Sequence, residues 1–120
     1  MLEINYSRNG AAVSDFDIAD YARDIVAEAK RCSALGENFS VEISTAEVIF
    51  AVRVLVLYGE ISYGDVIVRA NGAESRLTNY GNLTEDSVAK ALFPTCFSEM
   101  ILRKQVEMRK EGVPVLCDIK

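Results

Sequence analysis

The sequence predicts a single α+β (or α/β) domain in which helices cover a small mixed β-sheet. Three observations lead to this prediction. Short stretches with strand character occur near the N-terminus, at residues 39–43 and at residues 65–70. Between the first two lies a segment whose apolar residues recur every three or four positions, as in an amphipathic helix. An Asn71-Gly72 pair then marks a tight hairpin turn. With 120 residues, 50% of them hydrophobic, the chain is long enough to bury one core.

The first strand and the first helix occupy the N-terminal third of the chain. Residues 2–7 alternate between apolar and polar types and predict a strand that ends at an Asn9-Gly10 turn. Ser14 and Asp17 resemble a capping box, so we expect the helix to start there and to run to about Leu35, before Gly36. The apolar stripe of this helix is Ile18, Ala22, Ile25, Ala29 and Cys32.

Residues 39–43 predict a second strand, and two interpretations compete for residues 44–59. The many β-branched residues favour a strand, whereas Ser44 with Glu47 forms a capping box and Gly59 stands where a helix would end. We interpret the segment as a helix. Because it is apolar all round, we expect it at the centre of the fold or at an oligomer interface. Arg53 lies inside it, so we expect its guanidinium to pair with a carboxylate or carbonyl groups, or to reach the surface.

A hairpin follows, formed by a strand at residues 65–70, the Asn71-Gly72 turn and a strand at residues 74–80. In this register Arg69 faces Glu74 and Val66 faces Leu77.

The C-terminal part is predicted to contain two helices and a strand. Thr84 caps a short helix that Pro94 stops, and Thr95 opens a longer helix that runs to Gly112. Residues 113–119 alternate and predict a closing strand at an edge of the sheet.

Composition excludes several classes of function. The chain has no histidine, which rules out Ser-His-Asp triads, Cys-His pairs and histidine-based metal sites. Its three cysteines, Cys32, Cys96 and Cys117, show no CxxC spacing, so we expect no disulfide framework, no metal site and a reduced, cytoplasmic setting. The net charge of −5 disfavours direct nucleic-acid binding. The N-terminus lacks signal-peptide features and the apolar run at residues 48–58 is too short to span a membrane.

Several segments taken in order resemble the C-terminal region of SMC-like and OLD-like ABC-type AAA ATPases of bacterial defence systems. They are VEISTAEV at residues 41–48, RVLVLYGEI at 53–61, DVIV at 65–68, YGNL at 80–83 and FPTCF at 93–97. In that family a threonine–histidine pair senses the terminal phosphate of the nucleotide, and Ile43 and Ser44 stand at its place here. The chain also has no GxxxxGK[ST] phosphate-binding loop. The resemblance therefore implies the ATPase scaffold without nucleotide binding, and no cofactor.

The function predicted from these observations is non-catalytic protein binding by a relative of this ATPase region. The resemblance suggests a phage or mobile-element accessory or anti-defence protein, with a basic protein, a defence ATPase or a second copy of the chain as partner. One acidic row on the first helix and two tyrosines are the candidate partner-binding residues: Asp17, Asp20, Asp24, Glu28, Tyr58 and Tyr63. A solvated acidic face and tyrosine packing at the core edge are the alternative interpretations. The alternative function is a small-ligand-binding protein or a histidine-independent enzyme.

Overall fold

The computed structural model describes residues 1–92 and 97–117 and has the expected α+β architecture. Four strands form one mixed sheet in the order β2-β1-β3-β4. They are β1 (Leu2–Ala11), β2 (Phe39–Ile43), β3 (Val66–Ala70) and β4 (Ala73–Ser75). The central strand β1 is parallel to β2 and to β3, and β4 is antiparallel to β3 across the Asn71-Gly72 turn.

The described helices cover one face of this sheet. They are α1 (Ile18–Ala34), α2 (Glu47–Leu57), α3 (Asp86–Lys90) and α4 (Phe97–Lys110), with a 3-10 turn at Tyr63–Asp65. Alternate strand residues such as Leu2, Ile4 and Val68 are almost fully buried in one core cluster with α1 and α2. On the opposite face, Arg69 forms ion pairs with Glu3 at 2.6 Å and with Glu74 at 3.0 Å. This face is mostly polar because no described helix packs against it.

The two crossover connections of the sheet have opposite hands. After β1 the chain passes through α1 to β2 on one side, and α2 then leads back over β1 to β3 on the other side. Both helices lie on the same face of the sheet and pack against each other. The first connection moves from β1 to one edge of the sheet, and the second moves in the opposite direction. Because both cross the same face of the sheet, one connection is right-handed and the other is left-handed. About 98% of such connections are right-handed, so one of these two is of the rare kind.

The N-terminal strand is longer and the first helix shorter than expected. The prediction of a turn at Asn9-Gly10 was wrong, because β1 continues to Ala11 and both Tyr6 and Ala11 pair with Ile43. The residues between them form an extended bulge. The Ser14 cap was also wrong, since α1 begins at Ile18 after Asp17. The Ser14 carbonyl accepts a hydrogen bond from the Asp17 amide, and this turn delays the helix.

The segment at residues 44–59 contains the predicted helix, α2, but Ser44 does not cap this helix. The helix starts at Glu47, with Ala46 at the N-cap position. The Ser44 amide donates to the Ala11 carbonyl, and Thr45 Oγ1 accepts a hydrogen bond from the Val13 amide at 2.9 Å. Residues 44 and 45 are therefore tied to the chain that leads into α1, and the helix can begin only after them.

The predicted hairpin register is confirmed for Arg69 opposite Glu74, but the prediction is wrong beyond Ser75. Leu77 pairs with Leu83 rather than facing Val66. The buried Ser75 Oγ accepts hydrogen bonds from the amides of Thr84 and Glu85, both at 3.0 Å. Beyond Ser75, the Arg76 carbonyl accepts from the Thr84 amide and the Arg76 amide donates to Thr84 Oγ1, so the backbone of residue 76 pairs with Thr84 rather than with β3.

The C-terminal predictions were partly wrong. Glu85, not Thr84, caps α3, since the Glu85 carboxylate accepts from the Ser87 amide. Residues 113–117 do not form a strand and make only an isolated bridge between Cys117 and Thr78. Asn79 holds this segment through hydrogen bonds with the backbone of Leu116 and Pro114. The predicted positions at Pro94, Thr95 and Ile119 lie outside the described residues.

Candidate functional site

Helix α2 occupies the middle of the helical layer, with α1 on one side and α4 on the other. This position explains why it is apolar all round, since eight of its eleven residues are buried. The polar exception is Arg53, whose Nε donates to the Gly81 carbonyl and whose Nη2 donates to Asn82 Oδ1 at 3.3 Å. The expected pairing with carbonyl groups is confirmed. Burial lowers the pKa of the Arg53 guanidinium.

The outer side of α2 forms the floor of a groove of about 520 Å³. Val54 and Leu55 of α2 and Tyr58 at its C-cap line the floor, and Met100 of α4 stands at one side. The opposite wall comes from one flank of α1, through Arg23, Val26, Ala27 and Lys30. A smaller hollow of about 100 Å³ continues along the same helices and is lined in part by Ala19, Ala22 and Ala51. The groove exists because α2 is recessed between its two neighbours.

Three cations surround this apolar groove. Arg23 and Lys30 lie on the α1 wall, and Lys104 Nζ of α4 lies 5.3 Å from the centre of the Tyr58 ring. Arg23 is 3.8 Å from Asp20, and Lys104 is 3.5 Å from Glu107, while Lys30 forms no ion pair with any described residue. Among the described residues, Glu60 is the one acidic residue that lines the groove. The lining thus carries a small excess of positive charge on a chain whose net charge is −5.

The predicted acidic row lies on the outer surface of α1, beside the groove and outside its lining. Asp17 precedes the helix, and Asp20 and Asp24 are exposed. Glu28 forms a 2.8 Å ion pair with Arg31, which holds the pKa of the Glu28 carboxyl below its usual range. Arginines of the same helix therefore offset part of the negative charge of the row.

The structure separates the two candidate tyrosines. Tyr58 is 58% exposed at the end of the groove floor. Tyr63 lies in the 3-10 turn and is half-buried against the core. Of the six predicted site residues, Tyr58 alone lines the groove. The sequence-based prediction missed Arg23, Lys30 and Met100, although a spacing of seven places Arg23 and Lys30 on the same side of a helix.

A second, polar cavity of about 350 Å³ lies at the carboxyl ends of the parallel strands. It is lined by Tyr6, Ser7 and Arg8 of β1, by Ser44 after β2 and by Asn71 after β3. Ser7 Oγ already donates a 2.7 Å hydrogen bond to Glu42. Ligands of open α/β sheets commonly bind at this edge. The cavity has a single cationic side chain in its lining, so it offers weak electrostatic attraction to a polyphosphate.

No group of three or more cysteine or acidic side chains in residues 1–92 and 97–117 is placed to hold a metal ion. None of the helices in this part of the chain is long and apolar enough to cross a membrane.

Comparison of the chain with protein-family models, with curated proteins and with solved structures finds no match.

Proposed function

We propose that this chain is a non-catalytic protein-binding module that takes a segment of a partner protein into the groove over α2. The observation that supports this proposal is an apolar floor left open between two helical walls. Tyr58 is 58% exposed there and Met100 is 45% exposed. Exposed apolar surface that is rimmed by charged residues is typical of protein interaction sites. The polar groups of the groove stand at its edge and do not converge on one point, which favours a partner over a substrate.

The proposal includes an evolutionary relationship between this chain and the C-terminal region of ABC-type AAA ATPases. Its support is the order and spacing of the five quoted motifs, of which the first three fall on β2, α2 and β3. On this basis the setting is a cytoplasmic accessory or anti-defence protein of a phage or mobile element. A defence ATPase is then the natural partner.

A small anionic amphiphile is the second candidate occupant. The volume of about 520 Å³ lies within the range of small-molecule pockets, roughly 300–1,000 Å³. The apolar floor would take a hydrocarbon tail, and Arg23 or Lys30 would take the charged head. This alternative predicts binding of a free fatty acid in the absence of any partner protein.

The groove proposal is tested by affinity capture from an extract of the native host with two matched variants. Tyr58 and Leu102 are each 58% exposed, but Leu102 lies on the outer side of α4, away from the groove. We expect Tyr58→Glu to reduce capture of the partner by about tenfold or more, because it places a charge on the apolar floor. We expect Leu102→Glu to capture as much as the wild type. Circular dichroism and urea unfolding confirm that both variants fold.

A third variant separates the groove from the acidic row. Asp20→Lys with Asp24→Lys reverses the charge of two exposed side chains of α1. If this variant loses the partner and Tyr58→Glu retains it, the acidic row is the binding surface and the groove proposal is wrong. Equal capture by all variants also contradicts the proposal.

A further inference from the structure

We infer that the segment bound in the groove is an acidic amphipathic helix of about three turns. This inference rests on the proposed function and adds the conformation and the charge of the partner. It follows from the backbone of the walls, from the length of the groove and from the charges at its edge.

The walls of the groove favour a helical partner. Except for Tyr58 and Glu60, which follow the end of α2, the described residues that line it belong to α1, α2 or α4, whose backbone amides and carbonyls are hydrogen-bonded within their own helices. The Tyr58 amide also donates to the Val54 carbonyl of α2. An extended peptide would find no open strand edge here and would bury unpaired backbone groups. A helix satisfies its own backbone and presents side chains alone to the floor.

The length of the groove sets the length of the helix. Along α1 the two adjoining hollows are lined from Ala19 to Lys30, a span of eleven residue steps. At about 1.5 Å per residue this distance is roughly 16 Å, or about three helical turns. Along α2 the floor runs from Ala51 to Tyr58, a distance of about 10 Å, so about two of the three turns contact the floor and the third contacts the α1 wall. A partner helix of this length presents apolar residues at spacings of three and four to the floor.

The charges at the edge favour an acidic partner. Among the described residues that line the groove, Arg23 and Lys30 outnumber the acidic Glu60 by two to one, and Lys30 forms no ion pair with any described residue. Glutamate side chains on the flanks of the bound helix would reach these cations as the apolar side chains enter the floor. Because these charges are partly exposed, their main effect is on partner choice and on salt dependence.

The test uses two synthetic, fluorescein-labelled helical peptides of about four turns that share the same leucines at helical spacing. One peptide has glutamate on both flanks and the other has lysine. We expect fluorescence anisotropy at low salt to show the acidic peptide binding the wild type about tenfold more tightly than the basic one. We expect Arg23→Glu with Lys30→Glu to reverse this preference, and about 0.3 M salt to reduce it.

The matched control is Arg103→Glu with Lys110→Glu, which changes the net charge by the same amount on the outer side of α4. This variant should keep the preference of the wild type. A preference reversed by the control as well would reflect net charge alone and would overturn the inference.

Other outcomes separate the inference from the proposed function. If both peptides bind the wild type equally and Tyr58→Ala weakens the binding of both, the groove binds protein, but the inference that its partner is acidic is wrong. If neither peptide binds, the helical partner is wrong. If dodecanoate binds instead, the occupant is a small amphiphile. Size-exclusion chromatography with light scattering that shows a dimer broken by Tyr58→Ala would assign the groove to a second copy of the chain.

Discussion

Gly10 lies where β1 returns to β2 after its bulge, and it has no space for a side chain. A Cβ atom at this position would overlap the backbone of Ile43. The next residue, Ala11, pairs with the same Ile43. The glycine therefore allows the two backbones to approach closely enough for the sheet to continue.

We predict that Gly10→Ala destabilises the protein by about 1–3 kcal/mol, because the backbone of either strand must move to make room. Asn9→Ala is the matched control, since Asn9 is exposed in the same bulge. It should change the free energy of unfolding by less than about 0.5 kcal/mol. Urea unfolding measures both variants, and equal stability of the two would show that the bulge adjusts without cost.

Arg53 is a half-buried cation whose described partners are neutral oxygens, the Gly81 carbonyl and Asn82 Oδ1. It also lies 5.0 Å from the centre of the Phe50 ring. Gln105 Nε2 donates to the same Asn82 oxygen at 2.8 Å, so that oxygen keeps a partner when Arg53 is removed.

We predict that Arg53→Met changes stability by no more than about 1 kcal/mol. The lost bond to Gly81 costs stability, while relief from burying a charge without a carboxylate partner restores it. Arg53→Ala should cost about 2 kcal/mol or more, since it also removes the packing of the long side chain. Thermal and urea unfolding compare the two. Equal losses in both variants would mean that the hydrogen bonds to the loop matter more than the burial of the charge.

At the scale of elements, periodicity predicted type better than boundaries. The stripe of α1, the strand β2 and the helix at residues 44–59 were all predicted correctly in type. The register of the hairpin at Arg69 and Glu74 was also correct, because a two-residue turn leaves little freedom.

The predicted helix caps failed for two reasons. Ser44 and Thr84 have hydrogen-bonding partners in other segments, since the Ser44 amide donates to the Ala11 carbonyl and Thr84 bonds with the backbone of Arg76. Ser14 instead forms a local turn, in which its carbonyl accepts from the Asp17 amide. Capping patterns report local preference only, and both distant partners and competing local turns override them.

At the scale of the molecule, the groove depends on a topology that local sequence patterns do not specify. Two right-handed crossovers would place α1 and α2 on opposite faces of the sheet. With opposite hands, the two helices share a face and α2 can lie between α1 and α4. The sequence indicated that α2 must be covered, but it could not show that one side of it would stay open. Tyr58 was therefore predicted as a site residue without the neighbours that give it a role.

The resemblance to ATPases raises the question of whether the protein binds nucleotide, and features from several parts of the chain argue against it. The chain has no glycine-rich phosphate loop and no histidine. Under the proposed relationship to these ATPases, Ser44 would stand at the position of the family's sensing histidine. In the structure, the cavity at the carboxyl ends of the strands has Arg8 as its single cation. One exposed arginine does not offset the charge of a triphosphate in water.

We therefore predict that the protein neither hydrolyses ATP nor binds it with magnesium at micromolar concentrations. Isothermal titration calorimetry with ATP and magnesium should show only heats of dilution, and a phosphate-release assay should match a blank without protein. Arg8→Ala serves as the matched variant for any residual signal. A binding heat that disappears in Arg8→Ala would place nucleotide in the strand-end cavity, and the loss of the family's phosphate-binding residues would then no longer imply the loss of nucleotide binding.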